Sequence, residues 1–393
     1  MLRIAIVGAA IAGFNAARAL RRQSFTGEIV AIGAERHPPY DRPPLSKAFL
    51  TGDCSAPDLA LADPDEDLDV RWKLGTLAAR LDPANRRIVL DDGEEIRADG
   101  VIVATGARAR RLPGADGLAN VHTLRTLDDA IALRAALLGA RRLVVIGAGF
   151  IGAEVASSAR SLGLEVTVVE TLPTPLAGPL GTEMGALCAR LHGDHGVRLL
   201  TGVAVTRLIG AARAEAVELT DGTRLPADVV LVAIGARPNV EWLAGSGLDI
   251  SGGVVTDEGG ATNVPAVVAT GDCAMSFNRH AGRAIRVEHW THAFEQPATA
   301  VATLLAGSRR APDRPDVPYF WSDQYGVRLQ FAGHREEGDT VRIVEGDAEQ
   351  RSFLAVYERH GRPVAVLGMN QPKLFTRWRR QLRAPGPVPT AAP

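Results

Sequence analysis

The stretch LVVIGAGFIGAEVASSARSLGLEVTVVE, residues 143–170, decides the fold of this chain. It opens with a short apolar run that ends at a glycine, which is typical of a buried parallel strand. Gly147, Gly149 and Gly152 follow with the G-x-G-x-x-G spacing, which permits a tight turn, a close approach to a pyrophosphate and close packing of helix on strand. The helix that begins there offers unpaired N–H groups to phosphates. This order of elements predicts a dinucleotide-binding unit.

An acidic residue at the end of the second strand indicates which nucleotide this unit binds. Glu170 ends the apolar stretch EVTVVE, and no arginine follows it closely. A carboxylate at this place accepts hydrogen bonds from ribose hydroxyls and repels a 2′-phosphate. The middle unit is therefore predicted to bind NADH in preference to NADPH.

The chain begins with a second unit of the same kind. RIAIVG predicts a strand, and Gly8, Ala10 and Gly13 take the places of the three glycines before a predicted helix. The methyl group of Ala10 narrows the approach of a pyrophosphate but does not block it. The next strand, EIVAIGAE, ends at Glu35. The amino-terminal segment is predicted to bind a dinucleotide as well.

Two later stretches show that the whole domain plan is repeated. Two apolar strands run into the string G-A-R: VIVATGARARRLPG (101–114) and VLVAIGARPN (230–239). Each is preceded by a hairpin-like stretch that contains D-G. The chain thus contains an internal repeat. Two dinucleotides are implied, of which one can be a resident flavin and the other a visiting nicotinamide nucleotide.

The composition excludes several classes of protein. The net charge of −1 gives no basic footprint for nucleic acid, and no apolar run approaches the roughly 20 residues of a membrane span. The chain starts directly in a strand, so we expect no secretory leader. Cys54, Cys188 and Cys273 are far apart and odd in number, which fits a reducing cytoplasm and excludes a disulfide framework. We expect a cytoplasmic monomer or weak dimer without a metal, nucleic-acid or membrane partner.

Beyond these motifs, the sequence resembles the FAD-dependent, NADH-using ferredoxin reductases of cytochrome P450 and aromatic-ring dioxygenase systems. They form the putidaredoxin reductase-like branch of the two-dinucleotide flavoprotein reductases. The resemblance covers nearly the whole chain and is carried by YDRPPLSKAFL (40–50), LRTLDDA (124–130), GAGFIGAEVA (147–156), ATGDCA (269–274), VEHWTHAFEQ (287–296) and YFWSDQYGVRLQFAG (319–333). It implies an α/β fold with two Rossmann-like dinucleotide-binding domains of the glutathione reductase type and a C-terminal α+β domain.

The domain bounds follow from the repeat and the resemblance together. The FAD-binding domain is predicted to be discontinuous, over 1–112 and 242–317, with the NADH-binding domain, 113–241, inserted into it. Residues 318–383 are predicted to form the third domain, because their strand-like stretches alternate and turn as antiparallel hairpins do. The Pro/Ala-rich tail, 384–393, is predicted to be disordered.

The resemblance also implies the residues of the site. Lys47 is expected at the flavin edge, paired with Glu154 from the middle unit, because either charge alone in a poorly hydrated cleft would be costly. The prolines of RPPLSK predict an extended turn with no helix before Leu45, and Lys47 is then predicted to lie at the start of a helix. The residues expected around FAD are Gly8, Ala10, Ala12, Gly13, Ala34, Glu35, Arg42, Lys47, Ala78, Thr105, Gly106, Arg125, Gly271, Asp272, Glu288, His289 and Trp290. Those expected around the nicotinamide nucleotide are Gly147, Gly149, Ile151, Gly152, Glu154, Glu170 and Gly235.

The cysteines predict where the electrons leave. Many relatives use a redox disulfide, which needs two cysteines a few residues apart, and this chain has none. Cys54 lies past the turn where the peroxidase and oxidase branch carries its cysteine and is expected to be incidental, while Cys273 is expected to be a small buried residue. Reduced flavin would then pass single electrons directly to an external partner, which suits a [2Fe–2S] ferredoxin.

Ferredoxins of this kind are usually acidic, so basic patches are candidate docking sites. NRHAGRAIR (278–286), GSRRAPDR (307–314) and KLFTRWRRQLR (373–383) are rich in arginine. A basic run is equally consistent with an ordinary solvated face. The docking residues that we expect are Arg279, Arg283, Arg309 and Arg310.

Two other functions stay open on the sequence alone. One is an NADH oxidase or peroxidase, which the absent cysteine disfavours. The other is a flavoprotein like apoptosis-inducing factor, whose NADH complex works as a binding switch, and the compact length weighs against it.

Overall fold

The structure is a computed structural model, and it describes residues 1–307 and 316–383. The predicted tail, 384–393, and the two predicted docking residues Arg309 and Arg310 lie outside the described residues.

The first segment of the chain forms one parallel sheet and one small antiparallel sheet. Its helices are α1 (Ile11–Arg22) and α2 (Ala48–Thr51), with short 3-10 helices at Pro43–Ser46 and Pro57–Leu59. Its strands are β1 (Arg3–Val7), β2 (Glu28–Gly33), β3 (Val70–Leu74), β4 (Ala78–Asp82), β5 (Arg87–Leu90), β6 (Glu95–Arg97), β7 (Gly100–Val103) and β8 (Ala107–Ala109).

The middle segment repeats this arrangement. Its helices are α3 (Leu127–Leu138), α4 (Phe150–Ser161) and α5 (Ala177–Asp194), and a 3-10 helix follows at Glu241–Leu243. Its strands are β9 (Val121–His122), β10 (Arg142–Ile146), β11 (Glu165–Glu170), β12 (Arg198–Thr201), β13 (Val205–Ile209), β14 (Ala216–Leu219), β15 (Arg224–Pro226), β16 (Val229–Val232) and β17 (Ala236–Pro238).

The chain then returns to the first sheet. This segment contains β18 (Val254–Thr256), β19 (Val267–Ala269), a 3-10 helix at Gly271–Cys273, β20 (Ala274–Asn278), β21 (Arg283–Arg286) and α6 (Trp290–Ala306). Strand β19 pairs in parallel with β7, and β18, β20 and β21 form a small sheet of their own.

The last described segment is antiparallel. It comprises β22 (Tyr319–Gln324), β23 (Val327–Gly333), β24 (Thr340–Asp347), β25 (Ser352–Arg359), β26 (Arg362–Met369) and α7 (Pro372–Arg383). The strands form one sheet in the order β22-β23-β26-β25-β24. Successive side chains of β25 point to opposite faces of the sheet. Phe353 and Tyr357 pack toward α5, whereas Leu354 and Val356 pack toward α7.

Four strands of each parallel sheet share one topology, while the fifth strands, β19 and β9, come last and first in chain order. Their strand orders are β19-β7-β1-β2-β3 and β9-β16-β10-β11-β12, so the strand before each glycine motif lies at the centre. Each segment adds one three-stranded antiparallel sheet, β4-β5-β6 or β13-β14-β15. The predicted fold class and the predicted internal repeat are confirmed. The domain bounds stay a prediction, although β19 shows that the chain re-enters the first sheet after the middle segment.

Central strand β1 shows why apolar runs form these sheets. Ile4 and Ile6 point to one face and pack with residues of α1 and α6, while Ala5 and Val7 point to the other. Burial on both faces explains why the strand reads as a continuous apolar run in the sequence. No helix in residues 1–307 and 316–383 is long and apolar enough to cross a membrane.

The prediction for RPPLSK is wrong in one respect. Instead of an extended turn, the chain forms a 3-10 helix that begins at Pro43. A proline is tolerated in the first turn of a helix, because the N–H that it lacks would have no partner inside the helix there. The predicted helix start at Lys47 is confirmed, since Lys47 is the N-cap residue of the short helix α2.

Candidate active site

The first glycine of each motif brings a neighbouring strand end against the turn. Gly8 and Gly147 have φ angles of +116° and +102°, which favour glycine. A Cβ atom on Gly8 would lie 1.9 Å from the Ala104 carbonyl oxygen, and one on Gly147 would lie 2.4 Å from the Ala233 oxygen. Neither turn could therefore carry a side chain without moving the strand beside it.

The third glycine of each motif lets the helix pack against the turn. A Cβ on Gly13 would lie 1.7 Å from the oxygen of Gly8, and one on Gly152 would lie 2.1 Å from the oxygen of Gly147. These contacts are the close helix–strand packing that the motif spacing predicts.

The second position of the middle motif faces open space. A Cβ on Gly149 would have no atom within 4 Å. Gly149 and its counterpart Ala10 are the N-cap residues of α4 and α1, and neither helix has a side-chain cap. The first N–H groups of both helices are thus free of side-chain acceptors, so each end fits a phosphate group.

The acid of each unit is already hydrogen-bonded. Glu35 accepts hydrogen bonds from Arg42 at 2.5 Å and from the Tyr40 hydroxyl at 2.5 Å. Glu170 accepts from the backbone N–H groups of Ala148 and Leu172, each at 2.9 Å. Glu170 is thereby fixed against its glycine turn, and Glu35 is held at the end of β2 by Tyr40 and Arg42. Each carboxylate lies at the end of the second strand of its unit, where a ribose would lie.

An ion pair joins two residues predicted to line the FAD cleft. Arg125 Nη2 lies 2.5 Å from Asp272 Oδ2, and its Nε donates to the Ala107 oxygen at 3.0 Å. Nearby, Thr105 donates to the Asn239 oxygen at 2.6 Å, which links the ends of β7 and β17. Thr105 and Asp272 follow β7 and β19, so they lie at the carboxyl edge of the first sheet.

The start of α6 provides a partly apolar wall. Trp290 Nε1 donates to Asp41 at 2.6 Å, and its ring stacks on Phe294 with centroids 5.0 Å apart. His289 is the N-cap, and its buried Nδ1 atom has no partner among the described residues. Burial lowers the pKa of His289 to about 4. An unpaired buried polar atom of this kind fits a site that a polar cofactor completes.

The other predicted residues are distributed around these features. Gly271 packs against Ala12, since a Cβ on Gly271 would lie 2.8 Å from the Ala12 Cβ. Glu288 is engaged by Arg286. The rest take these places: Ala34 directly after β2, Ala78 at the start of β4 against the core, Gly106 after β7, Ile151 exposed in the first turn of α4, and Gly235 after β16 with φ of +91°.

The predicted Lys47–Glu154 contact is present in the structure. Lys47 Nζ lies 2.7 Å from Glu154 Oε2, and the Glu154 side chain is only 4% exposed. Ser46 donates to the same oxygen at 2.5 Å, and Ser322 donates to Oε1 at 2.6 Å. Both oxygens of this buried carboxylate therefore have donors, as a buried charge requires.

Sequence reasoning missed three contributors to this site. Ser46 and Ser322 lie inside the strings LSK and FWSDQ, but only the charged residue of the first string was singled out. Tyr40, which holds Glu35 and also accepts the Leu127 N–H at 2.8 Å, was missed as well. Hydroxyl groups carry no charge signal in a sequence, so only the fold reveals their partners.

The cysteines are arranged as the sequence predicts. All three are free, and the predicted burial of Cys273 is confirmed, since it is fully buried. Burial raises the pKa of the Cys188 thiol to about 12 and also raises the pKa of Cys54. A raised pKa disfavours the thiolate that redox exchange requires. No group of three or more potential metal ligands is present in the described part of the chain.

With this geometry established, the comparisons with known proteins identify the family. Residues 2–297 match the family described as pyridine nucleotide-disulphide oxidoreductase, and residues 319–392 match the reductase C-terminal family. The chain belongs to the pyridine nucleotide-disulphide oxidoreductase family. The predicted family is confirmed, and so is the prediction of an oxidoreductase enzyme.

Individual relatives match this chain over nearly their whole length. It is 40% identical over 380 residues to rhodocoxin reductase of Rhodococcus erythropolis, covering 95% of this chain and 87% of that protein. It is 39% identical over 384 residues to the ferredoxin reductase component of chlorobenzene dioxygenase of Cupriavidus sp., covering 97% and 92%. The reductase in a covalent putidaredoxin reductase–putidaredoxin complex is 34% identical, with a TM-score of 0.92 and coverage of 97% and 93%.

Proposed function

We propose that this protein takes a hydride from NADH onto FAD and passes single electrons to a [2Fe–2S] ferredoxin that feeds a cytochrome P450 or a ring-hydroxylating dioxygenase. The relatives named as reductases of such systems support it. One observation carries the proposal: the two dinucleotide units meet at the Lys47–Glu154 pair. The three cysteines are all free and provide no disulfide relay. Electrons must therefore leave the flavin without a sulfur relay.

The first unit has the features that FAD requires. The free N-terminus of α1 would hold the pyrophosphate, and Glu35 would accept the adenosine ribose hydroxyls. The Arg125–Asp272 pair, the free Nδ1 of His289 and the ring of Trp290 would hold the remainder of the cofactor. FAD supplies the conversion of a two-electron hydride transfer into single-electron steps when it is bound.

The middle unit has the features that NADH requires. The N-terminus of α4 and the open space at Gly149 would hold its pyrophosphate, and Glu170 would hold its ribose. Glu154 lies one helical turn farther along α4, buried and paired with Lys47 of the first unit. This pair orients the two units toward each other, and catalysis would consist chiefly of positioning.

The ferredoxin would dock on basic residues around the α6 side of the molecule. Arg279 and Arg283 have side chains that are 43% and 58% exposed, but each faces an acid, Glu258 or Glu336. Surface pairs of this kind contribute little free energy and can exchange for an acidic partner. Helix α7 adds more basic residues and no acidic one: Lys373, Arg377, Arg379, Arg380 and Arg383. Long-range attraction by these charges would speed encounter with an acidic ferredoxin.

The cellular setting is part of the proposal. Three free cysteines fit a reducing cytoplasm. The molecule is proposed to act there as a monomer or weak dimer.

The proposal is tested by NADH-driven reduction of cytochrome c with candidate [2Fe–2S] ferredoxins, each component being omitted in turn. We expect reduction only when the protein, NADH and one suitable ferredoxin are all present, and we expect FAD to be released on denaturation. Rapid NADH consumption by the protein alone, with oxygen as the acceptor, would instead indicate an oxidase. A stable NADH-reduced protein that reduces no ferredoxin would indicate a binding switch.

A further inference from the structure

A hydrogen-bonded chain reaches Glu154 from the C-terminal domain. Gln324 Nε2 lies 3.0 Å from Ser322 Oγ, and Ser322 Oγ lies 2.6 Å from Glu154 Oε1. All three residues are buried, with exposed fractions of 2%, 0% and 3%. Ser322 and Gln324 lie two positions apart in β22, so their side chains point to the same face of the sheet.

The chemistry of these groups fixes the direction of the chain. A carboxylate can only accept a hydrogen bond, so the Ser322 hydroxyl must donate to Glu154. The Gln324 amide N–H donates to the Ser322 oxygen, and the Ser322 hydroxyl proton is directed to Glu154. This arrangement holds Oε1 of Glu154 while Lys47 and Ser46 hold Oε2.

The hairpin of β22 and β23 also contacts α4, the helix that carries Glu154. The backbone N–H of Tyr325, at the tip between β22 and β23, donates to Ser157 Oγ at 2.7 Å. On the other side, Ser158 of α4 donates to the Ser46 oxygen at 2.7 Å. Helix α4 is therefore held between the first unit and the C-terminal domain at the turn that follows Glu154.

We propose that the C-terminal domain completes the hydride-transfer site, with Ser322, oriented by Gln324, as a positioning residue for the Glu154 carboxylate. The inference rests on the proposed function, because it assigns Glu154 to the NADH side of the flavin. It gives the C-terminal domain a part in the reaction with NADH, in addition to any part in docking a ferredoxin. Without Ser322, Oε1 loses its donor in a buried place, so the carboxylate rotates or admits water.

The test uses the full-length flavoprotein and the variants Ser322→Ala and Gln324→Met, with Ser246→Ala as the matched control. Ser246 is also a buried serine, and it donates to the Leu243 oxygen at 2.6 Å, away from Glu154. Rapid mixing with NADH measures the rate of flavin reduction at saturation and the apparent Kd of NADH separately. Hydrogen exchange of the α4 amides provides a readout that does not depend on turnover.

For Ser322→Ala we expect flavin reduction at saturating NADH to slow by about ten- to a hundredfold, because small displacements of positioning groups have effects of this order. The Kd of NADH should change little, the flavin absorbance band should shift, and exchange in α4 should rise. Gln324→Met should show smaller changes in the same direction, and Ser246→Ala should show none of them. Gln324→Met also keeps the proposal testable if Ser322→Ala does not fold.

Unchanged flavin reduction and unchanged α4 exchange in Ser322→Ala would overturn this inference. That result differs from failure of the proposed function, in which the wild-type protein itself would pass no electrons to any ferredoxin.

Discussion

At the residue scale, the site is organised around one buried carboxylate. Glu154 receives hydrogen bonds from Lys47, Ser46 and Ser322, and each donor comes from outside its own helix. A buried ion pair contributes little net stability, but removal of one partner leaves an uncompensated charge that costs several kcal/mol. The pair is thus better understood as a device that fixes geometry than as a source of stability.

The residue-scale prediction concerns Lys47. In Lys47→Ala, Glu154 keeps its serine donors but loses its counter-charge, so its position shifts and flavin reduction by NADH should slow by on the order of tenfold or more. Rapid-mixing absorbance spectroscopy measures this rate. Lys73→Ala is the matched control, because Lys73 forms an ion pair of the same length, 2.7 Å, with the more exposed Glu94. Equal rates in the two variants would remove the role assigned to Lys47.

The sequence could predict the charged members of this cluster but not the neutral ones. Lys47 and Glu154 were predicted as a pair, and the structure brings them into contact. Ser322 lies 168 positions from Glu154, and a serine gives no hint of its partner until the C-terminal sheet packs against α4. Neutral hydroxyls take part in too many local hydrogen bonds for their sequence position alone to indicate a distant partner.

At the scale of elements, the glycines of one turn differ in what surrounds them. A Cβ added to Gly147 or Gly152 would collide with backbone atoms, whereas a Cβ added to Gly149 would have no atom within 4 Å. The strand–turn–helix pattern was predictable, because glycine spacing and apolar runs are local properties. The 3-10 helix at Pro43 was not, because proline in sequence permits both an extended turn and a first helical turn.

The element-scale prediction concerns Gly149. Its backbone is extended, with φ of −74° and ψ of −178°, so Gly149→Val should fold normally and keep its FAD. The new side chain would fill the space where the pyrophosphate approaches, so the Kd of NADH should rise on the order of tenfold or more. Gly139→Val, at the exposed end of α3 with no atom within 4 Å, is the control. Equal affinity of both variants for NADH would show that the nucleotide does not use this turn.

At the scale of the whole molecule, three parts of the chain converge on one site. Two sheets that share the topology of four strands contribute a dinucleotide unit each, and the C-terminal sheet contributes Ser322 to the contact between them. The repeat was predictable because both copies show the same order of strands, glycines and acids. The position of the C-terminal sheet could not be predicted, because alternating strands indicate a sheet but not the surface against which that sheet packs.

The central claim is that FAD would take a hydride from NADH and give its two electrons one at a time to a ferredoxin, releasing the proton, with no thiol between them. The most direct measurement is anaerobic rapid mixing of the NADH-reduced protein with an oxidised [2Fe–2S] ferredoxin, followed at the flavin and iron–sulfur absorbance bands. Because a hydride carries two electrons, we expect the flavin band to return as two ferredoxin molecules are reduced for each NADH. A flavin that stays reduced with every candidate ferredoxin, or that is reoxidised only by oxygen or by a disulfide substrate, would contradict this account.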